Sequence, residues 1–388
     1  MNSGLKAFVG LLVVAGIGAL LYFGFLTKNA TEESRKRNEA EQATADAAEA
    51  AKGPQIDIRI RAGGEKIGFL KDPVLIALLR DRYRLTVSAE KSGSVEMSRD
   101  LPVQGFDALW PANDFCRQLV VERSMREGFK VVKSEDIFNS PIVILSWPDP
   151  VRVFSSPSWK VVEKRNEIHY VVDMAKLVDL VEKDHKWKDP DIGLPYNGRV
   201  LVKSTDPVKS SSGNLFAGLL ANVMNGGDPA VSETIDAILP RVKSVFARMG
   251  LKEESSGTFF EHFLGMGVGT YPFGVAYENQ LLELTLEQPA SADVIRSNVT
   301  VLYPEPTVWA THPMVALTPA GKRLVDAMKD PEIQRIAWER HGFRTGAMGS
   351  SNDPAVFQMR GIPQQIVSVV PLPEPAVMSK ILEALSAP

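Results

Sequence analysis

An α/β fold built on a parallel sheet with helices on its faces is what the residue pattern predicts, on three observations. Residues 56–62 (IDIRIRA) alternate isoleucine with polar residues, as a half-buried strand does. A break of small residues, Gly63-Gly64-Glu65, leads from that strand into a helical pattern. The same unit of strand, break and helix then recurs twice before residue 126.

The elements follow in order. After the first strand, residues 67–79 carry helical periodicity, with Pro73 kinking the helix or starting its second half. Residues 83–89 (YRLTVSA) form a second strand, Ser92-Gly93-Ser94 a second break and residues 95–99 a short helix. A third strand at 106–110 and a third helix at 113–126 complete the series. Ligands of such sheets bind beyond the carboxyl ends of the strands, where these breaks lie. Residues 142–147 (IVILSW) are continuously apolar, suiting a strand buried on both faces. A polar, proline-rich stretch at 149–159 then marks a change of domain. Helices are expected near 173–184, 214–224, 231–248 and 258–265, with strands at 198–203 and 273–276. Segments 299–303 and 308–316 return the chain to the first domain, and helices at 320–328, 331–341 and 376–385 close it. An interrupted domain needs two crossing strands, for which 142–147 and the stretch near Val308 are the candidates. Two lobes on two strands make a hinge.

Ser204 to Asn214 (STDPVKSSSGN) opens the apolar run 215–223 with a dense set of hydroxyls and amides. The unpaired N–H groups of a first helical turn and the helix dipole favour an anion there, and serines add donors. Local capping by Ser, Thr and Asp is the alternative reading.

The N-terminus adds a separate prediction. Residues 7–26 are uncharged and apolar, long enough as a helix to cross a bilayer. The run exceeds a signal-peptide core and no A-x-A-like site follows it, so it reads as an uncleaved signal anchor. Residues 31–53, rich in Ala, Glu and Lys/Arg without an apolar face, form a solvated tether. Lys6 stands before the apolar run, and Lys28, Arg35, Lys36 and Arg37 after it, a bias that by itself would put the body in the cytoplasm.

With 388 residues, 44% of them hydrophobic and 23% charged, the chain has material for two globular domains beyond its tail. A net charge of −3, with no basic stripe and no RNA-binding signature, gives no reason to expect nucleic acid. One cysteine, Cys116, excludes an internal disulfide framework. No G-x-S-x-G, H-E-x-x-H or Walker loop is present, and the five histidines are scattered.

In order along the chain, Gly63-Gly64-Glu65-Lys66, Lys91-Ser92-Gly93-Ser94, the strand at 106–110, and Thr205-Asp206-Pro207 with Ser210-Ser211-Ser212-Gly213 resemble the type II periplasmic solute-binding proteins. Val275-Ala276-Tyr277-Glu278, Tyr303-Pro304-Glu305-Pro306-Thr307, Pro331-Glu332-Ile333-Gln334 and His341-Gly342-Phe343-Arg344 continue the likeness, which covers roughly residues 55 to 385 and is nearest the sulfate, molybdate and tungstate branch. It implies a two-lobed α/β fold with a hinge of crossing strands, here preceded by one transmembrane helix. The expected divisions are an anchor at 1–29, a tether at 30–54, a first lobe at 55–147 completed by 306–388, and a second lobe at 148–305.

The resemblance further implies no catalysis and no cofactor. It implies a small polar ligand or oxyanion, a possible transporter permease as membrane partner and an extracytoplasmic body, against the charge bias around the anchor. The ligand-binding residues it implies are Gly64, Glu65, Ser92, Gly93, Ser94, Ser204, Thr205, Ser211, Ser212 and Tyr277. Two features depart from the pattern: Glu65 follows Gly64 where oxyanion receptors often have serine, and a membrane anchor stands where a free or lipid-linked receptor is usual. An enzyme on the same fold and a membrane-tethered interaction module with a vestigial pocket remain the alternatives.

Overall fold

The computed structural model describes Ser34 and residues 53–190, 198–287, 289–346 and 352–386. The apolar run at 7–26 and nearly all of the tether lie outside them. Among the described residues no helix is long and apolar enough to cross a membrane.

In the first lobe, β1 (Ile56–Ala62) leads through a 3-10 turn at Gly64–Lys66 into α1 (Ile67–Lys71) and α2 (Pro73–Tyr83). Proline starts α2 rather than kinking one long helix, because Asp72 is in extended conformation and its side chain accepts from the Val74 amide at 2.8 Å. The chain continues through β2 (Leu85–Lys91), α3 (Ser94–Arg99), β3 (Ala108–Trp110), α4 (Asp114–Glu127) and β4 (Lys133–Asp136). β1 pairs in parallel with β2 and β3, as the repeated unit predicts.

The second lobe contains β5 (Ser140–Ser146), α5 (Pro148–Phe154), the hairpin of β6 (Val162–Arg165) and β7 (His169–Asp173), and α6 (Met174–Glu182). Then come α7 (Ser211–Met224), α8 (Ile235–Arg248), α9 (Ser256–Met266), β8 (Phe273–Tyr277), α10 (Glu278–Glu287), α11 (Pro289–Asn298), β9 (Thr300–Glu305) and β10 (Trp309–Ala310). β11 (Pro313–Ala316) returns to the first sheet, which has the order β2-β1-β3-β11-β4, and α12 (Pro319–Ala327) and α13 (Pro331–His341) pack on it. The second sheet runs β10-β5-β9-β7-β6, with β8 also paired to β5.

Each sheet is covered on both faces. Ile58, Ile60, Trp110 and Met314 face α1, α2, α12 and α13, while Leu109 and Val315 meet Met97 of α3 and Val120 of α4. In the second lobe Ile142 and Ile144 face α6, α7 and α8, and Val143 and Leu145 face Phe259, Phe263 and Leu282.

The crossings differ from the expected ones. The apolar run at 142–147 is a second-sheet strand paired with β8 and β9, and the chain passes between lobes ahead of it, between β4 and β5. The stretch near Val308 is two strands, split at Thr311-His312, where His312 takes a left-handed φ of 41° and turns the chain from the second sheet into the first. Residues 198–203 make only isolated bridges, Lys203 with Gly274 and Arg199 with Lys186. The last helix, α14 (Pro375–Ser386), packs Val377, Met378 and Ile381 into the core of α7 and α8, so this part of 306–388 completes the second lobe and not the first.

Candidate functional site

The lobes face each other across a cleft of about 260 Å³. The first lobe supplies the turn Gly63-Gly64-Glu65 after β1, the end of β2 at Lys91, and Ser92-Gly93-Ser94 with Glu96 at the start of α3. The second supplies Lys209, Ser210 and Ser211 at the start of α7, Glu254, Ser255 and Ser256 at the start of α9, and Tyr277 at the end of β8. These positions follow from the sheets. Parallel β1 and β2 end on the same side, and their following turns form one wall.

Two long helices begin at the opposite wall. The α7 N-cap, Ser210, makes no side-chain cap bond, while at α9 the Ser255 hydroxyl accepts from the Thr258 amide at 3.2 Å. Both starts bring a helix dipole and first-turn amides to the cleft, with one α9 amide already taken by Ser255. Tyr277 is buried and its hydroxyl has no hydrogen-bond partner among the described residues. Buried polar groups are ordinarily paired, so this hydroxyl marks a place for a partner from the cleft.

Beneath the floor lies a buried charge pair. Glu65 and Lys66 are both buried, and Lys66 Nζ donates to Glu65 Oε1. His312 places Nδ1 3.6 Å from the same oxygen, and among the described residues neither ring nitrogen has a nearer polar partner. Burial opposes ionisation of Glu65, but the Lys66 charge and His312 prevail and hold the carboxyl well below the usual range. Burial pulls the Lys66 ammonium down while Glu65 opposes it. Burial, helped by the Lys66 charge, pushes His312 down to about 4, so its ring is neutral near pH 7. Burial pushes the Cys116 thiol up to about 12, which leaves it an inert thiol 3.8 Å from Ser211 Oγ.

Of the sequence-predicted site residues, Gly64, Glu65, Ser92, Gly93, Ser94, Ser211 and Tyr277 line this cleft. Ser204, Thr205 and Ser212 do not. Thr205 and Ser212 share a hydrogen bond at 2.8 Å and both are buried, and Ser204 is buried as well. The Thr205–Ser212 bond ties the loop to α7, while Ser204 Oγ has no partner among the described residues. The sequence reading did not single out Lys91, Glu96, Lys209, Ser210, Glu254, Ser255 and Ser256 as site residues. For Ser255-Ser256 a signal existed: the pair opens an apolar helix just as Ser210-Ser211 does.

Charges around the cleft are mixed. Lys209 Nζ pairs with Glu254, closing a rim on the second lobe. Lys91 lies over Gly64, where an added Cβ would stand 2.8 Å from its Cε, and its Nζ reaches the start of α9, 3.7 Å from a Cβ built on Gly257. Neither the Lys91 nor the Glu96 side chain makes a hydrogen bond or an ion pair at contact distance among the described residues. Among those residues no cluster of three or more His, Cys, Asp or Glu could hold a metal ion. Hydroxyls, amides and single charges are the chemistry this cleft offers.

No protein-family profile and no curated protein matches the sequence. Solved structures do match in shape. A substrate-binding protein of an ABC transporter from Agrobacterium tumefaciens superposes with TM-score 0.53 at 13% identity, over 88% of this chain and 96% of that one. Apo ferric ion-binding protein A of Pasteurella haemolytica gives 0.51 at 11% identity, over 85% and 96%. A ferric binding protein from Campylobacter jejuni gives 0.51 at 12%, over 85% and 96%. At such identities the likeness is one of architecture, and the chain has the two-lobed α/β fold of the periplasmic solute-binding proteins.

Proposed function

We propose that this protein is a membrane-anchored, extracytoplasmic solute-binding protein whose two lobes close over a small polar ligand, for transport or sensing. The carrying observation is the cleft itself. Serines at the starts of two long helices, an unpartnered buried tyrosine hydroxyl and Lys91 converge on one small volume between lobes joined by crossing segments. The anionic part of the ligand lies against the α7 and α9 starts, where amides and dipoles favour it. Closure follows from contacts that only the closed form completes. The apolar run at 7–26 supports the anchor, and the fold supports an extracytoplasmic body and a membrane permease as partner.

A ligand that binds only the folded, closed form raises the melting point. Screening sulfate, phosphate, molybdate, amino acids and polyamines by thermal shift is expected to yield at least one hit of several degrees. Ser211→Ala then weakens that ligand about tenfold, the loss of roughly one hydrogen bond to a charged group. Ser212→Ala leaves affinity unchanged and lowers stability by about 1 kcal/mol. No hit, combined with turnover of a model ester or phosphoester, would reverse the reading in favour of an enzyme. Fusions of the C-terminus to alkaline phosphatase and to a cytoplasm-dependent fluorescent protein test orientation, with phosphatase activity expected.

A further inference from the structure

We propose that the ligand of this cleft is a small zwitterion, with an anionic group at one end and an ammonium-type group at the other. The inference rests on the solute-binding reading and narrows it. Its basis is the charge carried by the walls. Three carboxylates line the cleft, Glu65, Glu96 and Glu254, against two lysines, Lys91 and Lys209. Lys209 and Glu254 neutralise each other at the rim, and Glu65 is matched by Lys66 behind it. One charge of each sign remains without a contact partner among the described residues, Lys91 and Glu96, the latter within the field of Lys209.

The two poles occupy different places. Lys91 reaches the start of α9, so its charge adds to the helix starts and to the free hydroxyl of Tyr277. Glu96 folds back beside Gly93, with Oε2 2.9 Å from where a Cβ on that glycine would stand. A bare dianion would gain from the first pole but meet the unmatched carboxylate of Glu96 at the second. A dication meets the mirror problem at Lys91 and two helix starts. A neutral polyol leaves both unpaired charges unmatched. A zwitterion answers each pole with its opposite, and a space of about 260 Å³, roughly nine water volumes, suits a compact one.

Isothermal titration calorimetry on the full-length chain in detergent micelles tests this with three probe sets. These are zwitterions (glycine, L-serine, 4-aminobutanoate, taurine, phosphoethanolamine), anions (acetate, sulfate, phosphate, molybdate) and cations (ethanolamine, putrescine). At least one zwitterion is expected to bind, with the anions and cations weaker by tenfold or more. Glu96→Gln should weaken the bound zwitterion tenfold or more while its melting temperature without ligand stays at the wild-type value. Binding of an anion or cation with no zwitterion bound overturns the inference and leaves the solute-binding reading intact. So does a folded Glu96→Gln protein that binds its zwitterion as the wild type does. Absence of binding by all three sets overturns both.

Discussion

Lys66 has no water around it, and a lone buried ammonium would be too costly to keep. It persists because Glu65, the next residue, is buried with it and accepts its proton-bearing nitrogen. Removing one partner of such a pair leaves the other uncompensated, whereas removing both leaves only shape to repair. Lys66→Met should therefore cost about 3–5 kcal/mol of unfolding stability, and Glu65→Gln/Lys66→Met should recover most of it. Urea denaturation of the wild type and both variants checks this; a double variant no better than the single one would show that the charge pair is not what holds the floor. The pair also resolves the conflict posed by a carboxylate beside Gly64, since its charge arrives already matched. From the sequence that match was hard to see, because adjacent Glu-Lys occurs on any solvated surface and only burial gives it meaning. Glu96 was hidden for a related reason: an acid in a first helical turn is ordinary.

Among the elements, those with local signals were legible. β1 shows its alternation, and α4 has Asn113 as N-cap, accepting from the Cys116 amide at 2.9 Å, and Gly128 in left-handed conformation at its end. The turns after β1 and β2 were readable because Gly and Ser mark them, and the one after β3 because Pro111 and Asn113 do. Elements defined by distant partners were not. The hairpin of β6 and β7 takes its place from pairing of β7 with β9; α14 was expected as a helix at 376–385, but the pocket of α7 and α8 that gives it its lobe was not. Residues 308–316 were expected as one segment; Pro313 after His312 is the local signal for the break that the left-handed backbone of His312 makes. At the α3 entry, Gly93 faces the second lobe, and a Cβ there would lie 2.9 Å from the Lys209 carbonyl oxygen. Backbone on that side cannot move as a flexible side chain would. Gly93→Ala, at a backbone angle any residue accepts, should leave the melting temperature within a degree or two and weaken ligand binding about tenfold or more. Calorimetry beside thermal melting separates the two effects, and unchanged affinity would mean that closure leaves more room than the geometry gives.

At the scale of the whole molecule, two buried histidines pull stability in opposite directions with pH. His312 sits at about 4 when folded, below its ordinary 6.5, so the unfolded chain binds the extra proton between those values. Its contribution is complete above pH 6.5 and is lost as pH falls toward 4, about 3 kcal/mol at 1.36 kcal/mol per unit. His341 bridges Asp72 at 2.9 Å and Glu283 at 2.6 Å; burial opposes its charge, but the two carboxylates raise its pKa. That contribution is complete below pH 6.5 and is lost as pH rises through the raised value. Stability measured by denaturant from pH 4 to 9 should thus form a dome near pH 6.5. His312→Asn, tolerant of the left-handed backbone, flattens the acid side, and His341→Gln flattens the alkaline side. An unaltered acid limb in the first variant would remove His312 as its source.

The α13 region adds a third passage between the lobes. Ile333 and Ile336 of α13 belong to the first core and Trp338 to the second; Arg344 pairs both ways with Asn139 at 2.8 Å, and Thr307 bridges to Val369. A joint of two strips can fold and can also wring. One with a third strip laid beside them folds like the spine of a book, since shear between its covers would have to slide every strip past its neighbour. Each opening and shutting would then return the same two pages to the same register, which is what a cleft holding one unpaired charge of each sign requires.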